Sequence, residues 1–365
     1  MLMTCLSVSS LFSSFDISFG ELYTHDLQSK IETIGRSYKG EEQARELGTL
    51  LRTHPGANTV GTAQQGTLLH IVSQAPFSVD SLKRILATYP DWDIDKEDVL
   101  GTPLHYAATD TVEKVRVLIT NNANLSARTR LSGKTGAKET PLERSIDTGK
   151  LDIADVLIQK GSPVDENTLA TAARSGSNAA FQKVKNAIKG GLSESQKYTA
   201  LRHALQEMRY LRDFRFTDTE DAIQETKQII QWLLDRVNTK KIPNDIVVLA
   251  GGTTRDTVKL LWNKGINLMV KQGDGKTPLH MAAHEGASSG VIQYLLDTGF
   301  SRTNKDNTGD VPLTYAQRYK RHISDMLDKV ERQANGKQSF ITKDYVQRVR
   351  DVHKQMEAVV RKLTP

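Results

Sequence analysis

The stretch Gly101-Thr-Pro-Leu-His-Tyr-Ala-Ala108 returns later in the chain as Lys276-Thr-Pro-Leu-His-Met-Ala-Ala283, with six identities in eight positions. Weaker copies of this anchor begin at Thr67, Thr140 and Val311. The anchors at 67, 102 and 140 are 35 and 38 residues apart, and those at 277 and 311 are 34 residues apart. A recurring step of this length indicates a repeat protein.

The residue types of the anchor suit the start of a helix. Thr102 and Thr277 can accept a hydrogen bond from a backbone amide of the first turn, and the proline that follows each lacks a donor that this turn would leave unused. Leu104, Ala107 and Ala108 then predict a short first helix whose small side chains allow a neighbouring repeat to approach closely. A second helix is predicted in four copies, where apolar residues recur at helical spacing over 115–119, 153–158, 258–262 and 291–296.

A glycine follows three of these second helices, at Gly161, Gly265 and Gly299. Each can adopt the left-handed conformation that ends a helix. Together with the anchor, these features resemble the ankyrin repeat, a unit of about 33 residues made of a turn and two antiparallel helices. The resemblance implies an all-α solenoid of stacked helix-turn-helix units with helical N- and C-terminal caps.

The resemblance also implies a division of the chain into three segments. Residues 1–60 form an N-terminal segment and helical cap, 61–335 form the ankyrin-repeat solenoid, and 339–365 form a basic C-terminal helix. Within the solenoid, residues 167–265 keep the rhythm of helix pairs but lose the anchor, so we interpret them either as degenerate repeats or as a separate small domain. The degenerate repeats would start near Thr168, Tyr198 and Asn244.

The C-terminal segment combines an apolar seam with positive charge. Residues 318–365 hold 12 Lys and Arg against 6 Asp and Glu, whereas the other 317 residues carry 37 of each sign. A basic tail on a neutral body argues against a nucleic-acid-binding protein whose whole surface is cationic, and we expect no specific nucleic-acid partner. The seam predicts a helix that either packs as a cap on the preceding apolar stripe or meets a partner helix. The seam consists of Tyr345, Val349, Val352, Met356, Val359 and Leu363. The preceding stripe consists of Ile323, Met326, Leu327 and Val330.

No set of residues predicts catalysis, a metal site or a cofactor. His70, His105 and His280 each occupy the fourth position of the anchor, where the family resemblance implies a structural hydrogen bond. The alternative is an enzyme with a small catalytic domain embedded at 167–265. Its candidate residues would be His203, Asp213 and Asp235, although nothing in the sequence fixes a nucleophile beside them.

In ankyrin-repeat proteins, partner proteins usually bind a concave surface made by hairpin tips and inner helices. The resemblance therefore implies a protein or peptide partner. The mixed charge of the corresponding positions suits a protein surface better than a polyanion. Carried over by position, these sites are Asp98, Thr109, Asp110, Asp147, Gly273, Asp274, Lys276, His284, Glu285, Asp310, Arg318 and Tyr319.

Two departures from the repeat add further candidates. An enlarged loop over 128–138 holds Arg128, Arg130, Lys134 and Lys138 and no acidic residue. It predicts either a clamp for an acidic partner or a solvated finger. The segment 208–216 extends an inner helix. Its Tyr210 and Phe214 could anchor an interface, since tyrosine and arginine often do so. The alternative is that these aromatic side chains fill an irregular core.

The remaining features bear on location. A single cysteine, Cys5, fits a reducing environment, and no run approaches the roughly 18 apolar residues that a membrane-spanning helix needs. We therefore expect a cytoplasmic protein. The C-terminal helix could also touch an anionic membrane, but its seam lacks Trp and Phe. Degenerate repeats, odd insertions and a lone cysteine also resemble the ankyrin proteins that intracellular bacteria deliver into eukaryotic cells, which would make the chain an effector in a host cytosol.

Overall fold

A computed structural model shows the chain as helices joined by turns. The described residues contain no β-strand, apart from an isolated bridge between Asp98 and Gly101. The predicted all-α fold is therefore confirmed. Two compact units are present, Met1–Pro163 and Val164–Pro365. The structure describes residues 19–53, 67–130, 138–213, 219–334 and 342–365.

The first unit consists of four consecutive helix pairs. In this unit α3, α5 and α7 pack side by side in one layer, and α2, α4, α6 and α8 pack in a second layer. We call the layer of first helices the inner layer and the layer of second helices the outer layer. The helices are α1 Phe19–Ser37, α2 Gly40–Thr53, α3 Leu68–Val72, α4 Val79–Thr88, α5 Pro103–Ala107, α6 Val112–Thr120, α7 Pro141–Asp147 and α8 Leu151–Gln159.

The second unit repeats this arrangement, with 3-10 turns at Thr239–Lys241 and Ala250–Gly252. The odd-numbered helices α9 to α17 form its inner layer, and the even-numbered helices α10 to α18 form its outer layer. The first three pairs cover the stretch that lacks the anchor. The helices are α9 Glu166–Arg174, α10 Asn178–Ala187, α11 Glu194–Asp213, α12 Glu220–Leu234, α13 Asn244–Leu249, α14 Arg255–Asn263, α15 Pro278–His284, α16 Ser289–Asp297, α17 Pro312–Ala334 and α18 Lys343–Leu363.

The anchor histidines join consecutive repeats. The backbone N–H of Thr102 donates to Nδ1 of His105 over 3.0 Å, so the ring proton is on Nε2, which donates to the carbonyl oxygen of Glu139 in the next hairpin over 3.0 Å. His70 and His280 make the same contacts. Burial lowers the pKa of His105 to about 4 and also lowers the pKa of the other two. Their structural role, implied by the family resemblance, is confirmed.

The last repeat departs from the predicted helix pair. The pattern predicts a pair beginning near 311, but α17 continues as one helix of 23 residues. The preceding repeat turns at Gly286, whose φ of 64° lies in the left-handed region. Between Pro312 and Ala334 the sequence offers no glycine and no second proline, so nothing ends the helix.

The C-terminal helix takes the vacant place in the outer layer. α18 packs against both α16 and α17, and it buries Val349, Met356, Val359 and Leu363 as the seam predicts. The prediction that Tyr345 belongs to the buried seam is wrong. Tyr345 is exposed, and the adjacent Val346 is buried instead. Tyr345 lies in the first turn of α18, at the end of the contact between the helices, where a long amphipathic side chain can extend toward water.

The predicted segment limits near 60 and 335 fall at 54–66 and 335–341, outside the described residues.

Candidate interaction surface

Three predicted site residues of the second unit lie around the ring of Tyr315. The Lys276 Nζ atom is 5.3 Å from the ring centroid and the central guanidinium carbon of Arg318 is 5.6 Å from it. The His284 ring packs edge-on at 5.5 Å between centroids. The structure thus brings together residues from a hairpin, from the end of α15 and from α17. Cations near an aromatic face attract its negative quadrupole, which helps to fix these side chains.

Tyr315 was not predicted as a site residue, although a signal was present. Its hydroxyl donates to Asp306 over 2.5 Å, and its ring packs edge-on against the anchor histidine of the preceding repeat. Tyr106 occupies the same place in the first unit and donates to Asp98 over 2.5 Å. Both tyrosines directly follow the fourth residue of their anchor. This recurrence indicates a structural tyrosine whose hydrogen bond to an aspartate holds each hairpin in place.

Hydrogen bonds, including the one from Tyr315, keep the carboxyl group of Asp306 ionised. Burial works to raise its pKa, but hydrogen bonds from Tyr315, from Thr308 and from backbone N–H groups outweigh burial and hold the pKa of Asp306 well below its usual range. Burial and the bond to this carboxylate raise the pKa of the Tyr315 phenol. The ring therefore stays neutral and fixed below the three predicted residues.

Asp98 corrects one prediction. It was expected as an exposed binding residue, but its side chain is fully buried. One carboxylate oxygen accepts the backbone N–H of Leu100 over 2.8 Å, and the other accepts the hydroxyl of Tyr106. Both oxygens organise the hairpin, because a buried carboxylate needs such partners. Asp98 is thus unavailable to a partner protein.

Around Tyr315, two acidic residues are less exposed than the basic side chains that they pair with. Arg318 is 2.6 Å from Asp310, and the two side chains are 57% and 22% exposed. Glu285, 19% exposed, is 3.1 Å from Arg209 and 3.0 Å from His284, which are 37% and 50% exposed. These pairs therefore present mainly their basic members to solvent.

Lys276 is the exception. It is 23% exposed and lies 3.0 Å from Asp274, which is 46% exposed. Hydrogen bonding to Asp274 raises the pKa of Lys276. At this hairpin the acidic member of the pair is the more exposed one.

The C-terminal part of α11 reaches the end of α15. Arg212 is buried and donates to the carbonyl oxygens of Gly252 and Glu285, over 2.5 Å in the second case. Burial works to raise the pKa of Glu285, but the bond from His284 and the charges of nearby arginines hold it below its usual range. Tyr210 lies exposed in the same turn of α11.

Sequence reasoning singled out segment 208–216 but missed the roles of Arg209 and Arg212. The clue was the alternation of arginine with apolar residues in that segment. Phe214 lies outside the described residues.

Tyr319 packs on the turn that directly follows Glu285. A Cβ atom placed on Gly286 would lie 2.5 Å from Cε1 of Tyr319, so the ring packs directly on the glycine backbone. Gln355 of α18 donates to the carbonyl oxygen of the same glycine over 3.3 Å. The turn after α15 is thus enclosed by α11 on one side and by α17 and α18 on the other.

Predicted residues of the first unit mostly serve internal contacts. The half-buried Thr109 donates to the carbonyl oxygen of Tyr106 over 2.8 Å. Asp110, 2.5 Å from the buried Lys114, compensates a desolvated cation. Burial lowers the pKa of that lysine. Asp147 is half-buried at the end of α7.

The cations of the enlarged loop are also engaged where they are described. Arg128 donates to the carbonyl oxygen of Lys138 over 2.8 Å and lies 3.6 Å from the buried Glu143, so it closes the neck of the loop. Arg130 is exposed and lies 3.6 Å from Glu97. Lys134 lies outside the described residues.

The structure describes the side chains of two of the three candidates for embedded catalysis. Asp235 is exposed and pairs with Lys264. Burial and nearby arginines lower the pKa of His203. The side chain of Asp213 lies outside the described part of the structure. Within that part, no three His, Cys, Asp or Glu side chains are grouped to hold a metal, and no helix is long and apolar enough to cross a membrane.

Comparisons with known proteins agree with the repeat geometry. The sequence matches the ankyrin repeat over residues 101–130 and a set of three ankyrin repeats over 246–331. Among solved structures, the chain is similar to the ankyrin repeat domain of human ASB11. The two share 17% identity with a TM-score of 0.46, over 64% of this chain and 98% of that one. No curated protein matches the sequence. Because the repeat matches fall on the anchors of both units, the chain is an ankyrin-repeat protein.

Proposed function

We propose that the protein is a binding module that recognises a partner protein through the inner-layer surface of its second unit. The observation that carries this proposal is a set of exposed side chains on its inner helices: Tyr210, His284 and Arg318. Tyrosine and arginine are the residue types that most often anchor protein interfaces.

The mechanism is recognition without turnover. His284 and Arg318 are held by Glu285, Asp310 and the ring of Tyr315 before any partner arrives. Side chains that are already ordered lose little conformational entropy on binding, which favours affinity. The proposal assigns no catalytic step and no cofactor to the chain.

Site-specific photocrosslinking tests this proposal. A benzophenone amino acid replaces Tyr210 in one variant and Lys259, exposed on the outer helix α14, in the control variant. After irradiation in eukaryotic cell lysate, we expect an adduct of defined mass from position 210 that excess unlabelled protein abolishes, and none from position 259. Equal adducts at both positions, or none at position 210, would contradict the proposal.

We propose in addition that the partner is a protein of a eukaryotic host cytosol. The support is the resemblance of the degenerate repeats and enlarged loop to ankyrin proteins that bacteria deliver into cells. A reporter enzyme that is active only in eukaryotic cytosol, fused to the chain and produced in its organism of origin, should give a signal in contacted host cells. Normal production of the fusion without that signal would contradict this setting.

A further inference from the structure

The end of α15 is the floor of a recess in the second unit. α15 ends at His284 after 7 residues, whereas α17 continues for 15 residues beyond Tyr319, about 22 Å at 1.5 Å per residue. Arg209 on α11 borders the floor on the opposite side through its contact with Glu285. The recess therefore spans two inner helices, α13 and α15, and has α11 and α17 as its two walls.

Basic side chains lie on both walls and on the floor of this recess. Arg321 and His322 follow Arg318 by three and four residues, so they share one side of α17. Both are exposed, and within the described residues neither has an acidic side chain in ion-pair contact. We call this set the basic strip, and it consists of Arg209, His284, Arg318, Arg321 and His322.

Acidic residues lie next to the strip but do not cancel its positive charge. Glu285 and Asp310 are less exposed than their basic partners and are already engaged by them. Asp325, one turn after His322, is exposed and ends the strip. Asp274 borders it at the hairpin. A nucleic-acid backbone carries a charge at every phosphate and would meet these acids, whereas carboxylates spaced along a peptide can avoid them.

We propose that the basic strip binds an acidic segment of the partner protein, an inference that rests on the function proposed above. Guanidinium groups present a planar fork of donors that matches a carboxylate with two parallel hydrogen bonds. Arg318 and Arg321 supply two such forks one turn apart, and His284 and Arg209 continue the strip across the floor.

The test uses a displayed library of random 12-residue peptides, selected on the full-length protein. Enriched peptides are synthesised with a fluorophore, and their affinities are measured by anisotropy at several salt concentrations. We expect enrichment of Asp and Glu, and affinities that fall as salt rises. The double variant R318Q and R321Q should bind these peptides about 5- to 10-fold more weakly, because exposed ion pairs contribute modestly.

The matched control is the double variant K329Q and R332Q on the same helix. It removes the same charge from exposed positions that begin 8 residues, about 12 Å along the helix axis, beyond Arg321. This distance exceeds the screening length of about 10 Å at 0.1 M salt, so its affinities should change less than about 2-fold. Thermal melting of each variant verifies folding, since glutamine adds no repulsion beside Asp310.

Three outcomes would overturn the inference: enriched peptides without excess acid, equal weakening by both double variants, or acidic peptides unaffected by the R318Q and R321Q changes. Failure to enrich any peptide would overturn it as well. Neutral peptides that crosslink at position 210 would leave the proposed function standing while this inference fails. Loss of the position 210 adduct would instead contradict the proposed function.

Discussion

The pH dependence of stability tests the buried anchor histidine directly. His105 is fully buried, and burial lowers its pKa from 6.5 to about 4. In the unfolded chain the ring returns to its ordinary pKa, so below pH 6.5 the unfolded state binds a proton that the folded state refuses. The stability that depends on the neutral His105 ring is therefore fully present above pH 6.5 and is lost as the pH falls toward 4. The largest loss that this histidine can cause is about 3 kcal/mol, at 1.36 kcal/mol per pKa unit.

The variant H105Q removes the titrating ring but can keep the hydrogen bond that the residue 105 side chain accepts from the backbone N–H of Thr102 at the start of α5. At the equivalent position of the next repeat, a Glu143 carboxylate oxygen accepts the backbone N–H of Thr140 over 2.9 Å. The amide oxygen of glutamine can accept from Thr102 in the same way.

Urea unfolding of both proteins at pH 7 and pH 4.5, followed by circular dichroism, measures the effect. The wild type should lose about 2 kcal/mol more than the variant between these two pH values. The other anchor histidines titrate in both proteins and cancel in the comparison. If both proteins lose the same stability, the ring is not held neutral in the folded state.

Three further predictions concern packing. L104A and L279A, which truncate fully buried side chains, should each reduce the free energy of unfolding by about 2–5 kcal/mol in urea titrations, and losses below about 0.5 kcal/mol at both would refute the repeat register. G251A should lower the melting temperature far more than G252A, because the new Cβ would lie 2.0 Å from a backbone oxygen at the first position but 3.3 Å from a side chain at the second. Equal shifts would show that the backbone adjusts. Deleting residues 339–365 should lower the melting temperature and increase binding of an apolar dye with no partner present, and unchanged melting would make the tail an interaction arm.

Sequence alone predicts most of the repeat framework. Anchor residues such as Thr102 and His105 act within one helical turn and one neighbouring hairpin, so their spacing determines where inner helices begin. The helices of the central stretch, which lacks the anchor, begin within four residues of the starts predicted near Thr168, Tyr198 and Asn244. Local capping and apolar periodicity are sufficient for such predictions.

The candidate site is less accessible to sequence reasoning, because it depends on contacts between repeats. Asp98 occupies a position that is exposed in the repeat pattern, but Tyr106, eight residues later, folds over it and buries it. The role of Arg209 depends on α11 reaching a turn that lies more than 70 residues later in the chain. The length of α17 follows from the absence of a turn residue, which periodicity alone does not reveal.

The bonds of Arg212 have a consequence for how the second unit comes apart. In most repeat proteins the stability is a sum of terms for single repeats and for nearest neighbours, so ends fray one repeat at a time. Arg212 belongs to the α11 pair, yet it donates to carbonyl oxygens in each of the next two pairs. This adds a second-neighbour coupling to the one-dimensional chain. The pairs that begin with α11, α13 and α15 should therefore exchange their amide hydrogens as a single cooperative block, with one opening free energy common to all three.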